Sequence, residues 1–264
     1  MTSIKAWHIP LLAFYSRSLY ILVARTWRGT GFGYLFLITA FCSLLTTYHV
    51  ARLMDDIVNQ QVYPVVQQLP TLTFSNGTLQ PNSSEPIVIK GAEGGNAVLV
   101  VDTSDNPKFE QIQAPIWLLK HQARIEQPNG QFQVIDFSPI EQLSLDQGGM
   151  QALVDRTVSV MKPLSYIPIQ LGEFGYRALQ VLLYAIGGIA YAALFKVRLG
   201  YKTILRLTCV AVTPSLLIST ILTALGFYFP VLGIMFFVMS QAYLYFAIQS
   251  VAAGEPDGDG YLEV

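Results

Sequence analysis

Charged residues are scarce in this chain, and acidic residues are missing from long stretches of it. Only 12% of the 264 residues are charged, whereas 52% are hydrophobic; soluble domains carry roughly 25% charged residues. No Asp or Glu precedes Asp55, and none lies between Glu173 and Glu255. So few charges cannot coat a soluble globule of this size, so soluble and disordered classes are excluded. The net charge of −1 gives no reason to expect a nucleic acid partner.

Cysteine and histidine are also sparse. Cys42 and Cys209 fall in apolar stretches, and His8, His49 and His121 lie in three different segments. We therefore expect neither a disulfide scaffold nor a metal site. The chain also lacks a nucleophile elbow, a phosphate-binding glycine loop and a zinc-protease helix. The sequence thus predicts a protein that is not an enzyme, with no catalytic residue and no cofactor.

The chain contains three long runs of residues without a charged side chain. They contain 23, 18 and 48 residues and occupy 29–51, 178–195 and 207–254. A helix of about 20 apolar residues crosses a bilayer, and the last run is long enough for two such helices. The segment Gly226-Phe227-Tyr228-Phe229-Pro230 supplies the break between them.

These runs predict an α-helical integral membrane protein with four transmembrane helices. A small α+β extracytoplasmic domain is expected between helices 1 and 2. The predicted segments are an amphipathic cytoplasmic or interfacial segment (1–30), transmembrane helix 1 (31–52), the extracytoplasmic stalk and α+β domain (53–172), transmembrane helices 2–4 (173–254) and an acidic cytoplasmic tail (255–264). The first segment can lie in the inner interface or pack beneath the bundle as a cytoplasmic helix.

Basic residues predict the orientation. The first 30 residues contain Lys and Arg but no acid, and so does the loop around Lys196–Arg206. Residues 51–177 carry eight bases against thirteen acids. Because Lys and Arg near the spans mark the cytoplasmic side, we expect both termini inside and residues 53–172 outside. No cleavage site follows the first span, which we interpret as a signal anchor.

The outer insert shows strand, turn and helix patterns. An apolar helical stripe after the first span predicts a stalk that Pro64 bends or ends. Asn76-Gly77 between short β-prone runs is a strong hairpin signal. The further predicted elements are strands Ile87–Lys90 and Ala97–Val101, a longer hairpin of Trp117–Glu126 with Gln131–Phe137, and a helix over Asp146–Met161.

One predicted strand of the insert carries candidate partner contacts. Alternate residues of a strand point to opposite faces, so Trp117 and His121 are expected on one side and Lys120 and Arg124 on the other. We expect the basic pair to be solvated and to contact an anionic partner or glycan. An ordinary polar sheet face explains the same residues.

Three carboxylates of the insert form a second candidate site. Asp102 ends a predicted strand, where it could present its carboxylate or simply cap a turn. Glu126 and Asp136 could approach Asp102 across the sheet, depending on a register that the sequence leaves open.

The predicted spans hold only uncharged polar residues. We expect no Asp, Glu, Lys or Arg at bilayer depth, which counts against a proton-driven carrier but not against facilitated movement of a neutral or lipid molecule. Packing explains Gln180, Gln241 and the span serines and threonines. Ala185, Gly188 and Ala192 form a small-residue face whose partner can be internal or another chain.

Several short motifs point to a known family. They are Phe14-Tyr15 and Leu19-Tyr20 of the inner segment, Gly31-Phe32-Gly33-Tyr34-Leu35, Leu69-Pro70-Thr71-Leu72-Thr73-Phe74-Ser75-Asn76-Gly77-Thr78-Leu79, Val100-Val101-Asp102-Thr103 and Val212-Thr213-Pro214. With this layout the chain resembles the bacterial multi-pass membrane family labelled domain of unknown function 1189, a distant relative of the Yip-type proteins. The resemblance implies four or more spans and an extracytoplasmic domain in a bacterial plasma membrane. It carries over no catalytic residue.

Two functions from different classes follow. The leading hypothesis is a non-enzymatic bacterial inner-membrane protein whose outer domain binds an envelope partner or ligand, in an accessory, scaffold or sensing role. The alternative is a transport or lipid-handling subunit in which the spans carry the function. The expected partners are the lipid bilayer and an envelope or membrane protein, and homo-oligomerisation stays open.

Overall fold

The computed structural model describes residues 6–81, 85–91, 95–104, 107, 112–227 and 231–254. The chain divides into two compact units. The helical unit contains Met1–Val50 with Pro163–Val264, and the sheet unit contains Ala51–Lys162. The predicted acidic tail and residues 228–230 of the predicted break lie outside the described residues.

The helices follow the apolar runs of the sequence. In chain order they are α1 (Ile9–Leu12), α2 (Arg17–Thr26), α3 (Phe32–Ile57), α4 (Tyr63–Gln68), α5 (Gln147–Leu164), α6 (Tyr166–Leu194), α7 (Tyr201–Ala211), α8 (Thr213–Ala224) and α9 (Leu232–Ala253). The predicted stalk widens into a π-helical turn over Val58–Val62 and continues as α4, with Pro64 in its first turn. Pro64 therefore does not end the helix, because the helical stretch runs without a break from Phe32 to Gln68.

Four helical stretches in the described part of the chain are long and apolar enough to cross a membrane. They are Phe32–Gln68, Gln147–Leu194, Tyr201–Ala224 and Leu232–Ala253. Their exposed large side chains include Leu179, Ile186 and Phe237. A solvated helix would not expose so many apolar groups. The helices thus indicate a membrane protein, and the prediction of four apolar helices with a separate small sheet region is confirmed.

The core of the helical unit surrounds α7 and α8. Every residue from Leu207 to Leu216 is buried, and α2, α6 and α9 all pack against α7. Ala185, Gly188 and Ala192 of α6 are buried in the same core. A Cβ atom built on Gly188 would lie 2.5 Å from Ile204 Cγ2 and 3.4 Å from Leu244 Cδ2. The small-residue face of α6 therefore meets α7 and α9 of the same chain.

The N-terminal segment contributes to this core through α2. Leu19, Tyr20 and Val23 are fully buried, and α2 packs on α7 and α9. The Tyr20 hydroxyl donates to the carbonyl of Ala13 at 2.6 Å. Trp7 remains 88% exposed. The helix is thus held by its apolar face to the bundle, while an aromatic residue suited to a membrane interface stays uncovered.

The described part of the sheet unit contains two sheets, which share a core. Its strands are β1 (Leu72–Ser75), β2 (Thr78–Pro81), β3 (Ile87–Lys90), β4 (Ala97–Asp102), β5 (Ile116–Leu119), β6 (Gln122–Glu126), β7 (Phe132–Asp136) and β8 (Gln142–Leu145). The first sheet has the order β2-β1-β8, and the second has the order β3-β4-β5-β6-β7. Leu72, Phe74 and Leu79 of the first sheet share a core with Ile89 and Val101 of the second.

Two predictions about the turns of the sheet unit have different outcomes. Asn76 and Gly77 turn the first hairpin with φ of 48° and 72°, as the left-handed preference of this pair predicts. The single strand predicted over Trp117–Glu126 is wrong, because the chain turns at Lys120 and His121 and forms β5 and β6. The backbone N–H of Leu79 donates to the Lys120 carbonyl at 2.8 Å, which ties this turn to the other sheet.

We predict that Gly188→Leu destabilises the helical unit, whereas the same change at Gly175 does not. Both glycines lie on α6, but a Cβ at Gly175 meets nothing within 4 Å. Overpacking at Gly188 should lower the free energy of unfolding by about 1–3 kcal/mol. Thermal unfolding of the detergent-solubilised protein measures the difference. Equal melting temperatures would contradict the close approach of α6 to α7.

Candidate functional site

The first candidate site is the face of the five-stranded sheet that carries Arg124. Val100 pairs with Trp117, Trp117 with Arg124, and Arg124 with Val134. Residues directly opposite one another in neighbouring strands share a face. Trp117 and Arg124 therefore lie on the same face of the sheet.

This register corrects the predicted pairing of Lys120 with Arg124. The two were placed on one side of a single strand, but Lys120 lies in the β5–β6 turn and Arg124 lies in the middle of β6. Strand alternation does not apply to Lys120 and Arg124, because a tight turn interrupts the single strand that was predicted there. Of the two candidate contacts, only Arg124 lies on the sheet face opposite the main core.

A cavity of about 940 Å³ opens on the Arg124 face. Its lining combines Arg124, Glu126 and the exposed ring of Phe132 with polar and apolar groups of 96–97 and 112–115. Trp117 forms its floor, 3% exposed, and its indole Nε1–H donates to the Ala114 carbonyl at 3.0 Å. A concave surface that combines aromatic, apolar and charged side chains is a candidate ligand site.

Arg124 is oriented by its own strand. When the side-chain amide of Gln122 is rotated so that its oxygen faces Arg124, this oxygen accepts hydrogen bonds from Arg124 Nε at 3.1 Å and from Arg124 Nη2 at 3.2 Å. Gln122, Arg124 and Glu126 are alternate residues of β6 and so share the face. The guanidinium therefore carries its positive charge to the cavity wall beside the carboxylate of Glu126.

The three carboxylates considered from the sequence do not come together. Asp102 and Asp136 lie in one row of the sheet with β5 and β6 between them, about 14 Å apart at ordinary strand spacing. Glu126 is opposite Phe132, at the other end of β7. Asp102 Oδ1 accepts from the Ser104 backbone N–H at 2.9 Å, which is the turn cap that the alternative predicted.

Asp136 is likewise occupied within its own turn. The Ser138 hydroxyl donates to its Oδ1 at 2.7 Å and the Ser138 backbone N–H at 2.9 Å. These bonds hold the pKa of the Asp136 carboxyl below its ordinary value. Among the described residues, no group of three or more His, Cys, Asp or Glu side chains could hold a metal ion.

The second candidate site is a polar stripe between α3 and α6. Gln170 is 5% exposed, and its amide oxygen accepts from the Ser43 hydroxyl at 2.7 Å. Its Nε2 donates to Thr39 Oγ1 at 3.3 Å and to the Phe36 carbonyl at the same distance. The hydrogen bonds of the buried amide are thus satisfied inside the protein, as an apolar environment requires.

Charged residues continue this stripe along α6. The Thr46 hydroxyl donates to Glu173 Oε1 at 2.8 Å. Arg177 Nη1 donates to Gln180 Oε1 at 2.7 Å and its Nη2 to Ser219 Oγ of α8 at 3.3 Å. These contacts connect α3, α6 and α8 through partly buried polar groups.

Sequence patterns did not reveal this stripe because only the uncharged run 178–195 was assigned to bilayer depth. In the structure α6 already begins at Tyr166, so Glu173 and Arg177 belong to a long apolar helix. Residues 170, 173, 177, 180 and 184 recur at helical spacing on α6, and 39, 43 and 46 do so on α3. Two matching polar stripes were the signal available in the sequence.

The four apolar helices with a separate sheet unit define a helical membrane protein. Comparison with known families makes this more specific. A family model described as "Protein of unknown function (DUF1189)" matches residues 11–248. The chain belongs to this family, and the predicted family is confirmed. No curated protein and no solved structure matches the chain.

We predict that Gln170 and Ser43 are energetically coupled. Gln170→Leu and Ser43→Ala should each lower the free energy of unfolding, and the double variant should lose less than the sum. Interhelical hydrogen bonds of this kind give coupling energies of about 0.6 kcal/mol on average, and about 1.7 kcal/mol at most. Unfolding of the four proteins in detergent measures the cycle.

The matched control pairs Gln170→Leu with Ser240→Ala. Ser240 is also buried, but its hydroxyl lies 2.7 Å from Ser215 Oγ. Its effect should therefore add to that of Gln170→Leu. Additivity in both cycles would show that the Ser43–Gln170 bond contributes no stability.

Proposed function

We propose that this protein is a non-enzymatic component of the bacterial plasma membrane whose sheet unit binds an envelope partner or ligand. The helical unit anchors the protein in the bilayer through four transmembrane helices. The sheet unit then faces the extracytoplasmic side and presents its binding surface there. An accessory, scaffold or sensing role follows from this division of labour.

The cavity beside Arg124 is the observation that carries this proposal. Here the floor is the buried Trp117, whereas Arg124, Glu126 and Phe132 line the open wall. An exposed aromatic ring next to a guanidinium is typical of binding hot spots. The positive charge favours an anionic group of the ligand.

The orientation is supported by the charges that flank the helices. Lys196, Arg198, Lys202 and Arg206 lie between the end of α6 and the middle of α7. The sheet unit carries the excess of acids. The positive-inside tendency then places the α6–α7 loop in the cytoplasm and the sheet unit outside.

We expect a cysteine at Asn129 to react with a membrane-impermeant thiol reagent in intact cells, and one at Lys202 not to react. Asn129 is exposed in the β6–β7 turn, and Lys202 is exposed in the first turn of α7. The native Cys42 and Cys209 are buried and provide the background. Labelling of the cysteine at position 202 but not of the one at position 129 would show that the protein has the opposite orientation in the membrane.

Arg124→Glu should abolish partner or ligand binding, because it reverses the charge at the cavity wall. The measurement is in-cell photo-crosslinking from position 132, with adducts identified by mass spectrometry, together with complementation of a deletion strain. Arg156→Glu, an exposed charge reversal on α5 of the same unit, is the matched control and should retain both signals. Retention of adducts and complementation by Arg124→Glu would contradict the proposal.

A transport or lipid-handling role is the second candidate, and the stripe on α3 and α6 favours it. Ionisable residues within apolar helices frequently mark pathways for substrates or ions, and Glu173 and Arg177 are such residues. Glu173→Gln and Arg177→Gln would then abolish complementation while Arg124→Glu preserves it. Those complementation results would favour the transport role over the binding role.

A further inference from the structure

The outer edge of the five-stranded sheet is formed by β7. Its only partner among the described strands is β6. All five residues, Phe132 to Asp136, are exposed, with Phe132 at 56% and Val134 at 52%. The strand thus exposes apolar side chains on both faces, and no described strand pairs with its outer backbone edge.

The hydrogen-bond pattern shows which backbone groups point outward. The Phe137 N–H donates to the His121 carbonyl, and the Gln127 N–H donates to the Gln131 carbonyl. In an antiparallel pair, hydrogen-bonded residue pairs alternate with non-hydrogen-bonded ones. Gln133 and Ile135 therefore direct their N–H and C=O groups to β6. Phe132, Val134 and Asp136 direct theirs to the open edge.

This edge lacks the features that usually prevent strand addition. Exposed edges are commonly protected by lysine, proline, a bulge or a very short strand. The sequence of β7 is Phe-Gln-Val-Ile-Asp, and its five-residue ladder with β6 is regular. Its only charge, Asp136, is at the end of the strand. An open, mostly apolar edge of this kind is a template for another strand.

We propose that β7 pairs antiparallel with β7 of a second copy of this chain, with Val134 on the two-fold axis. The outward-pointing residues at 132, 134 and 136 are symmetric about Val134. In this register Val134 faces Val134 of the second copy, and each Phe132 faces an Asp136. All three outward-pointing residues of each strand then find backbone partners.

The other registers satisfy fewer groups. A shift by two residues leaves two hydrogen-bonded pairs, and a shift by four leaves one. A shift by four in one direction also places the two Asp136 carboxylates opposite each other, and like charges in that position are destabilising. The centred register keeps these carboxylates roughly 14 Å apart along the strands. A second copy therefore fits the edge in one preferred arrangement.

The size of the contact indicates where the pair forms. Two five-residue strands bury well below the roughly 1,200 Å² that stable complexes in solution require. Anchoring both copies in one bilayer raises their effective concentration, as linking two modules does. The pair should therefore form in membranes and dissociate on dilution in detergent.

Disulfide trapping of the full-length protein in native membranes tests the register. The Val134 Cα atoms would lie about 5.5 Å apart, within the disulfide range of about 4.4–6.8 Å. The two Gln133 Cα atoms would lie about 8 Å apart, beyond that range. With a copper–phenanthroline oxidant, Val134→Cys should give a dimer band on the order of tenfold stronger than Gln133→Cys. The double variant Gln133→Cys with Ile135→Cys should recover crosslinking, because residues 133 and 135 face each other across the interface.

A proline variant separates pairing from folding. Val134→Pro removes an N–H that points to the open edge and that β6 does not use, so the sheet unit should fold. In the Gln133→Cys with Ile135→Cys background it should reduce the crosslink on the order of tenfold, whereas Val134→Thr should not. Equal crosslinking of Val134→Cys and Gln133→Cys, or no dimer from Val134→Cys, would overturn the proposal. Neither result depends on the Arg124 cavity or its ligand.

Discussion

A fully buried helix junction organises the helical unit. The α7–α8 break falls at Val212 because Pro214 has no N–H with which to continue the helix. In hydrocarbon, backbone polar groups at such a break need partners from within the protein. Ser215 Oγ donates to the Val212 carbonyl at 2.8 Å, and Thr213 Oγ1 lies 3.4 Å from the Cys209 carbonyl. These hydroxyls add side-chain hydrogen bonds on both sides of the break, and the Leu216 N–H also donates to the Val212 carbonyl at 2.9 Å.

Close packing around this junction depends on glycine. Gly31, with φ of +84°, brings the start of α3 against α7, where a Cβ would lie 3.1 Å from Arg206 Cα. Gly187 lets α6 approach Gln241 of α9, whose Oε1 accepts from the Tyr191 hydroxyl at 3.2 Å. Small residues and polar pairs thus work together, since polar side chains can bond across helices only where the backbones approach. Gln170, Glu173 and Arg177 differ from these packing groups because two of the three carry a charge.

The sequence predicted the apolar helices, the Asn76-Gly77 hairpin and the family, because each depends on local pattern. It did not predict the division of Trp117–Glu126 into two strands, since Lys120 and His121 are not typical turn residues. That turn is held by a bond from the distant Leu79 N–H, which no local pattern encodes. The parallel pairing of β4 with β5 and the strand β8 were missed for the same reason. The Arg124 face therefore followed from the register and not from strand alternation.

An uncovered apolar edge needs a physical explanation in any sheet. Exposed strands of this kind promote uncontrolled association in proteins that diffuse freely. A membrane anchor changes this risk, because it limits both the concentration and the orientation of the copies that meet. Under that restriction the same edge can select one symmetric partner, with Val134 at the centre and the Asp136 carboxylates apart. In the pair that we propose, the bilayer brings two copies into contact and the open edge of β7 determines their register.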